Sequence, residues 1–138
     1  QAYGPYQDIN RLIPITINAC MNNRVFNCSD GNQLRDFIYI DDVTEAIIKC
    51  LQNKSSIGQI YNLGSGKKIK IKSIIKTISN YYGGGKPLFG KIKLRKDESK
   101  VIFANIKKIK KQLNWKPRVN FEEGLKKTLK FYDKNKKD

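Results

Sequence analysis

Asp30-Gly31-Asn32-Gln33-Leu34-Arg35-Asp36-Phe37-Ile38-Tyr39-Ile40-Asp41-Asp42 compresses a turn, a cation, an apolar strand and a helix start into one short stretch. Residues 29–32 have the composition of a turn, with Gly31 able to take a positive φ. Residues 36–40 are apolar enough for a buried strand, and Arg35 stands at its leading end. One of the two aspartates that follow can place a side-chain oxygen on the first amides of a helix. In that helix Val43, Ala46, Ile47, Cys50 and Leu51 recur at helical spacing and form the predicted inward face. A strand delivered directly into a helix is the unit from which α/β proteins are built.

The same alternation extends in both directions. Ile9, Leu12, Ile13, Ile17 and Cys20 recur at helical spacing over residues 7–22, with Asp8 near the cap position. Pro14 interrupts that pattern, so the helix either kinks or begins near the proline. Residues 24–28 and 59–63 are short strand candidates, the second ending at Gly64-Ser65-Gly66. Ile74, Ile75, Ile78 and Tyr82 predict a helix that Gly83-Gly84-Gly85 stops. Residues 86–104 read as irregular apart from a strand at 91–94. Ile106, Ile109 and Leu113 mark a short helix ending before Trp115-Lys116-Pro117. Phe121, Leu125, Leu129 and Tyr132 mark the last one, with Asn120 as its cap. The fold class is therefore α/β, without internal repeats.

Composition narrows the function. The chain has 138 residues, 39% hydrophobic and 10% aromatic, which suits one ordinary globular domain. No apolar run approaches the roughly 20 residues of a membrane span, and the N-terminus lacks a signal-peptide pattern. The sequence opens on Gln1 and its only methionine is Met21, which predicts a piece of a longer protein. Histidine is absent, so Ser-His-Asp and Cys-His nucleophiles and His-based zinc sites are excluded within these residues. Cys20, Cys28 and Cys50 form no CxxC pair, which predicts reduced thiols in a cytoplasmic protein and no metal site.

The net charge of +16 is uneven, at −1 over residues 1–66 and +17 over residues 67–138. The excess is lysine spread over whole segments with little aromatic interleaving, the pattern of solvated helix faces. That argues against nucleic acid as the partner. A standalone basic nucleic-acid-binding module is the alternative, and its affinity would fall steeply with salt.

Three motifs fail on inspection. Gly64-Ser65-Gly66 lacks the further glycine of a dinucleotide-binding turn, since Ile69 stands there. The run from Gly85 to Lys91 has Ile92 where a P-loop needs Ser or Thr, and Pro87 removes an amide from the anion cradle. Tyr82…Lys86 and Tyr132…Lys136 have Tyr-x-x-x-Lys spacing, but seven tyrosines among 23 lysines give about one such match by chance. Arg35 and Arg95 stand apart. Only five arginines occur beside 23 lysines, and an arginine chosen over the default cation suits bidentate contact with phosphate or carboxylate. The alternative is surface pairing with Asp36 or Asp97.

Several stretches, taken together, resemble a known family. They are Tyr3-Gly4-Pro5, Arg11-Leu12-Ile13-Pro14, the run from Asp30 to Asp42, Tyr61-Asn62-Leu63-Gly64-Ser65-Gly66, Leu113-Asn114-Trp115-Lys116-Pro117 and Phe121-Glu122-Glu123-Gly124-Leu125. In order and spacing they resemble the C-terminal half of an extended short-chain dehydrogenase/reductase, of the NAD-dependent epimerase/dehydratase family that modifies nucleotide sugars. The resemblance implies that residues 1–66 supply the substrate-site helix, loop strands and terminal elements of a Rossmann-type sheet. Residues 67–138 would be the remainder of the C-terminal substrate-binding domain. The family's glycine fingerprint and catalytic Tyr-x-x-x-Lys would lie upstream of Gln1. No catalytic residue is then expected here, NAD or NADP would serve the full-length enzyme, and the 138 residues alone would be inactive.

Carried over residue by residue, Arg35 resembles the arginine on the substrate pyrophosphate and Arg95 a second one on the same group. Leu12 and Pro14 fall where the family packs the nucleotide, and Phe26 where it contacts the base. Tyr3 falls near the nicotinamide and the sugar, so it is expected at both substrate and cofactor. Asn62 matches an asparagine that is structural as readily as ligand-binding. Asp41 and Asp42 are expected to cap a helix. Asn114 departs from the family, whose members often have glycine there. Pro87-Leu88-Phe89-Gly90 with Arg95 and Glu98 resembles members acting on CDP- or dTDP-4-keto-6-deoxy sugars. The implied partners are a nucleoside-diphosphate sugar and, at full length, a second copy in a homodimer, in carbohydrate or polysaccharide biosynthesis. A catalytically dead sugar-nucleotide-binding protein is a further alternative. The 59–63 strand would sit at a sheet edge, so the isolated chain is expected to be marginally stable, to dimerise or to swap strands.

Overall fold

The computed structural model describes residues 1–135; Lys136, the lysine of one Tyr-x-x-x-Lys spacing, lies outside the described residues. In chain order the first elements are β1 (Ala2–Tyr3), α1 (Leu12–Met21), β2 (Val25–Asn27), β3 (Leu34–Arg35), β4 (Ile38–Tyr39) and α2 (Ile40–Gln52). A 3-10 turn at Lys54–Ser56 follows, then β5 (Ile69–Lys70), α3 (Ile71–Tyr82), β6 (Lys86–Leu88), β7 (Val101–Ile102), α4 (Lys107–Leu113) and α5 (Phe121–Lys134). The α/β class is as the strand–helix alternation predicts.

Two compact units form, each drawing segments from both sides of residue 66. The first comprises Gln1–Pro5, Asp36–Lys68 and the chain from Phe103 onward; the second comprises Tyr6–Arg35 and Ile69–Ile102. In the first, β1 runs parallel to β4 with Ala2 opposite Ile38 and Tyr3 opposite Tyr39. Tyr39 hands the chain into α2 without a loop. Ile38, Ala46, Ile109, Leu113 and Trp115 make one buried cluster, with Val43, Cys50, Tyr61, Leu63 and Ile106 packed against it. The rings of Tyr3, Tyr39, Phe37 and Phe121 make a second, with Tyr3 and Tyr39 centroids 5.6 Å apart, edge to face.

In the second unit α1 packs on α3, and both contribute fully buried isoleucines, Ile13 and Ile17 from one and Ile74, Ile75 and Ile78 from the other. Gly85 lets the chain pass against α1, where a Cβ would lie 2.7 Å from the Cys20 Cα. β2 pairs parallel with β6, and β3 lies between antiparallel β5 and parallel β7. Cys20 and Cys28 are buried free thiols, and burial pushes the Cys28 thiol up from its ordinary value.

The structure corrects several local expectations. Of the two readings at Pro14 the second holds: α1 starts near the proline, at Leu12, with Pro14 in its first turn, where the missing amide costs no helical hydrogen bond. Asp8 does not cap it; its carboxylate accepts from the Asn10 amide at 2.8 Å and shapes the turn before the helix. The 36–40 strand is shorter than predicted, because Ile40 already belongs to α2. Neither Asp41 nor Asp42 closes α2 by a side-chain cap, since the cap position is Tyr39. Both lie in the first turn, where negative charge suits the helix dipole. Asp42 is buried and accepts from the Arg118 and Val119 amides at 2.9 and 3.1 Å, which ties down the entry to α5.

The inward face of α2 is also narrower than its periodicity suggests. Val43, Ala46 and Cys50 turn inward, whereas Ile47 and Leu51 are 52% and 82% exposed. Residues 59–63 and 91–94 form no strand, because no described segment pairs with either. The ladders instead use β6 and β7. Pro87 is tolerated in β6 because this strand has a neighbour on one side only. Tyr82 ends α3, Gly83 closes it at φ 62°, and Lys86 belongs to β6, so Tyr82 and Lys86 do not share a helix. Asn114 takes the left-handed conformation at φ 46° that ends α4, which an asparagine tolerates and a glycine takes freely. Asn120 accepts from the Glu123 amide at 2.9 Å, the cap its position predicts.

Candidate functional site

Arg35 sits on β3, the central strand of the three-stranded ladder, opposite Ile69 on one side and Ile102 on the other. That placement buries it, leaving its side chain 10% exposed. The turn before it is built by Asp30, whose carboxylate accepts from the Asn32 backbone and side-chain amides at 3.0 Å each. Those bonds, with Lys70 and Lys72 nearby, hold the Asp30 carboxyl below its usual range. Gly31 (φ +71°) is needed there because a Cβ would meet Lys72 at 2.8 Å, and its carbonyl receives the Lys72 amide at 2.9 Å.

A buried guanidinium needs a counter-charge. Arg35 finds it in Glu98, whose carboxylate pairs with Nη2, while Nη1 donates to the Leu34 carbonyl at 2.9 Å. The partner is thus not Asp36, the acid beside it in the sequence. Glu98 in turn donates its amide to the Arg95 carbonyl at 3.1 Å, which closes a turn carrying Arg95 on the exposed loop between β6 and β7. The loop is pinned beside this turn, with Ile92 donating to Cys28 at 3.0 Å and Leu34 to Lys100 at 2.9 Å. Glu98 thus holds the Arg35 guanidinium by its carboxylate and the Arg95 carbonyl by its amide.

Asp36 serves a different end. Its buried carboxylate accepts from the Ser65 amide (2.7 Å), the Ser65 hydroxyl (2.5 Å), the Gly66 amide (2.8 Å) and the Ala104 amide (3.0 Å). The Gly64-Ser65-Gly66 turn is thus an anion cradle, but one filled by the protein's own carboxylate. Gly64 permits the approach, since a Cβ there would lie 2.6 Å from the Asp36 Oδ2.

The remaining predicted residues divide between the two units. Leu12 and Phe26 are half-buried and Pro14 is buried, all in the unit that carries Arg35 and Arg95. Phe26 lies opposite Pro87 across the β2–β6 pair, and in the same unit the Lys72 ammonium sits 4.7 Å from the Phe89 ring centroid. Asn62 is exposed and belongs to the other unit. Tyr3, expected beside substrate and cofactor, is 2% exposed, and its hydroxyl donates to the Phe121 carbonyl at 3.2 Å. Its side chain is packed in the core of its own unit. Among the described residues no cluster of three or more metal-ligating side chains exists, and no helix is long and apolar enough to cross a membrane.

The roles of Asp36 and Glu98 differ from those the sequence suggests, a surface partner for an arginine and part of a subtype resemblance. The signal for Asp36 was the pairing of a lone acid after Arg35 with a Gly-Ser-Gly turn unfit for a cofactor. Glu98 had a weaker one, an acid three positions from an isolated arginine.

Comparison with known proteins agrees with this architecture. Residues 1–128 match the family model described as GDP-mannose 4,6 dehydratase. The chain is 32% identical over 135 residues to CDP-abequose synthase of Salmonella typhimurium, covering 93% of this chain and 44% of that protein. Among solved structures, UDP-glucose 4-epimerase of Thermotoga maritima with UDP-glucose gives a TM-score of 0.87 at 25% identity, over 99% of this chain and 45% of that one. The dTDP-glucose 4,6-dehydratase of Bacillus anthracis in complex with NAD gives 0.83 at 26%, over 98% and 43%. The chain spans less than half the length of each of these three proteins. With a family model covering nearly the whole of it, the chain belongs to the GDP-mannose 4,6 dehydratase family of NAD-dependent epimerases and dehydratases.

Proposed function

We propose that this chain is the sugar-nucleotide-binding portion of an NAD(P)-dependent nucleotide-sugar epimerase, dehydratase or reductase. The observation that carries the reading is the buried Arg35 guanidinium, joined through Glu98 to the turn bearing Arg95. Two planar, forked donors match the oxygens of a diphosphate, which carries more than one negative charge and accepts bidentate contacts. Leu12, Pro14 and Phe26 supply apolar surface in the same unit, suited to the nucleoside. The similarity to CDP-abequose synthase and to dTDP-glucose 4,6-dehydratase supports a CDP- or dTDP-linked sugar as the first ligand to try.

NAD(P) would supply a hydride acceptor for the sugar carbon, but the residues here do not fit it. The glycine-turn amides are occupied by Asp36, and the Tyr3 ring is packed in the core. No catalytic step is assigned to this chain, and the 138 residues by themselves are expected to be inactive in hydride transfer. Calorimetric titration with CDP-, UDP- and dTDP-sugars tests the assignment. Arg35→Ala is expected to cost about 1.5–3 kcal/mol of binding. Unchanged affinity in that variant would remove Arg35 from the site.

A further inference from the structure

We infer that Glu98 is the positioning residue that sets the Arg35 guanidinium for a diphosphate. The inference rests on the reading of Arg35 as a diphosphate ligand and adds how it is held. Arginine carries several soft torsions, so a guanidinium gains recognition power only when its plane is fixed beforehand. Arg35 is fixed at two points: Nη1 on its own strand, at the Leu34 carbonyl, and Nη2 on Glu98. The strand contact is present whatever the loop does, whereas the Glu98 contact exists only while the loop lies against β3.

Glu98 is built to report that position. Its side chain holds Arg35, and its main-chain N–H holds the Arg95 carbonyl at 3.1 Å. The loop is anchored upstream by Ile92 on Cys28 and downstream by the Lys100 carbonyl under Leu34. Between those anchors, among the described residues, Glu98 is the side chain that ties the loop to β3. Its charge matters as well as its reach. Removing the carboxylate would leave the buried Arg35 guanidinium without its counter-charge. Its side chain is 31% exposed, against 10% for Arg35, so the acid is the more solvent-accessible partner of the two.

The test uses Glu98→Ala, which removes the acceptor, and Glu98→Gln, which keeps an acceptor without charge. Inorganic pyrophosphate, UDP and uridine are titrated into each. Glu98→Ala is expected to weaken pyrophosphate and UDP by about tenfold or more, with Glu98→Gln between it and the unsubstituted chain. Uridine binding should not change. The double variant with Arg35→Ala should bind no more weakly than Arg35→Ala alone, since both remove one contact. In nitrogen-15 spectra the Arg35 Nη2–H should be a protected, distinct resonance that Glu98→Ala averages with the exposed arginines.

Pyrophosphate binding that stays equal or tightens in Glu98→Ala, while Arg35→Ala still weakens it, overturns the inference; Glu98 would then be a bystander or a competitor of the ligand. Loss of uridine binding as well would reduce Glu98 to a loop-folding residue and also overturn it. If the unsubstituted chain ignores pyrophosphate, or Arg35→Ala has no effect, the diphosphate reading itself falls. The Nη2–H resonance then decides separately whether Glu98 holds Arg35.

Discussion

Replacing Asp36 by asparagine isolates the contribution of the carboxylate that fills the Gly64–Gly66 turn. One oxygen takes the Ser65 amide and hydroxyl, and the other takes the Gly66 and Ala104 amides. Asparagine is nearly isosteric but offers one acceptor oxygen. Its cheapest orientation keeps that oxygen on Gly66 and Ala104 and turns the amino group toward Ser65, whose hydroxyl can rotate to accept. The Ser65 amide is then left facing a donor inside a buried site. One orphaned buried amide costs about 1–3 kcal/mol, and losing the charge weakens the two retained bonds, for a total of about 2–4 kcal/mol. In a chain of this size that lowers the melting midpoint by roughly 7–14 °C. Urea unfolding followed by circular dichroism measures it, with the slope m unchanged if the unfolded state is unaffected. The ordering is as diagnostic as the size: Asp36→Ala should exceed Asp36→Asn, which should exceed Ser65→Ala at about 1 kcal/mol. A loss below about 0.5 kcal/mol for Asp36→Asn, or a reversed order, would refute the reasoning.

Three further outcomes are expected. Gly124→Ala would bring a Cβ to 2.2 Å from the Tyr3 hydroxyl and 3.0 Å from the Tyr39 ring; it should destabilise by about 1–3 kcal/mol in urea, and a Tyr3→Phe background should recover part of the loss. Burial holds the Tyr3 phenol well above its ordinary value of 10.0; the native state keeps a proton that the unfolded chain releases, so stability is whole below pH 10 and declines as pH rises beyond it. Urea midpoints at pH 9, 10 and 11 should show that decline, and Tyr3→Phe should flatten it. Ile47, Ile48 and Leu51 expose 52%, 46% and 82% on α2, so Leu51→Lys should lower dye binding and self-association in sedimentation without lowering the melting temperature; unchanged association would clear that face.

Much of this protein is written in local pattern. The helices α3 and α5, the Asn120 cap, the glycine stop after Tyr82 and the strand-to-helix passage at Tyr39 follow from periodicity and capping chemistry, which act over a few residues. The absence of histidine excludes histidine-based chemistries within these residues without any structure, and the ordered motifs identify the family. Tertiary structure decided what depends on distance along the chain. Strand pairing put β6 and β7 in the ladders and left 59–63 and 91–94 without partners, because a strand exists only where another lies alongside it. The inward side of α2 was set by what packs there, so Ile47 and Leu51 remained outside a stripe that periodicity alone would assign to them. Tyr3 became a core ring for the same reason. Asp36 meets amides near residues 65 and 104, and Arg35 meets Glu98; a buried charge takes whatever counter-group the fold delivers, and folding, not proximity in sequence, brings that group within reach.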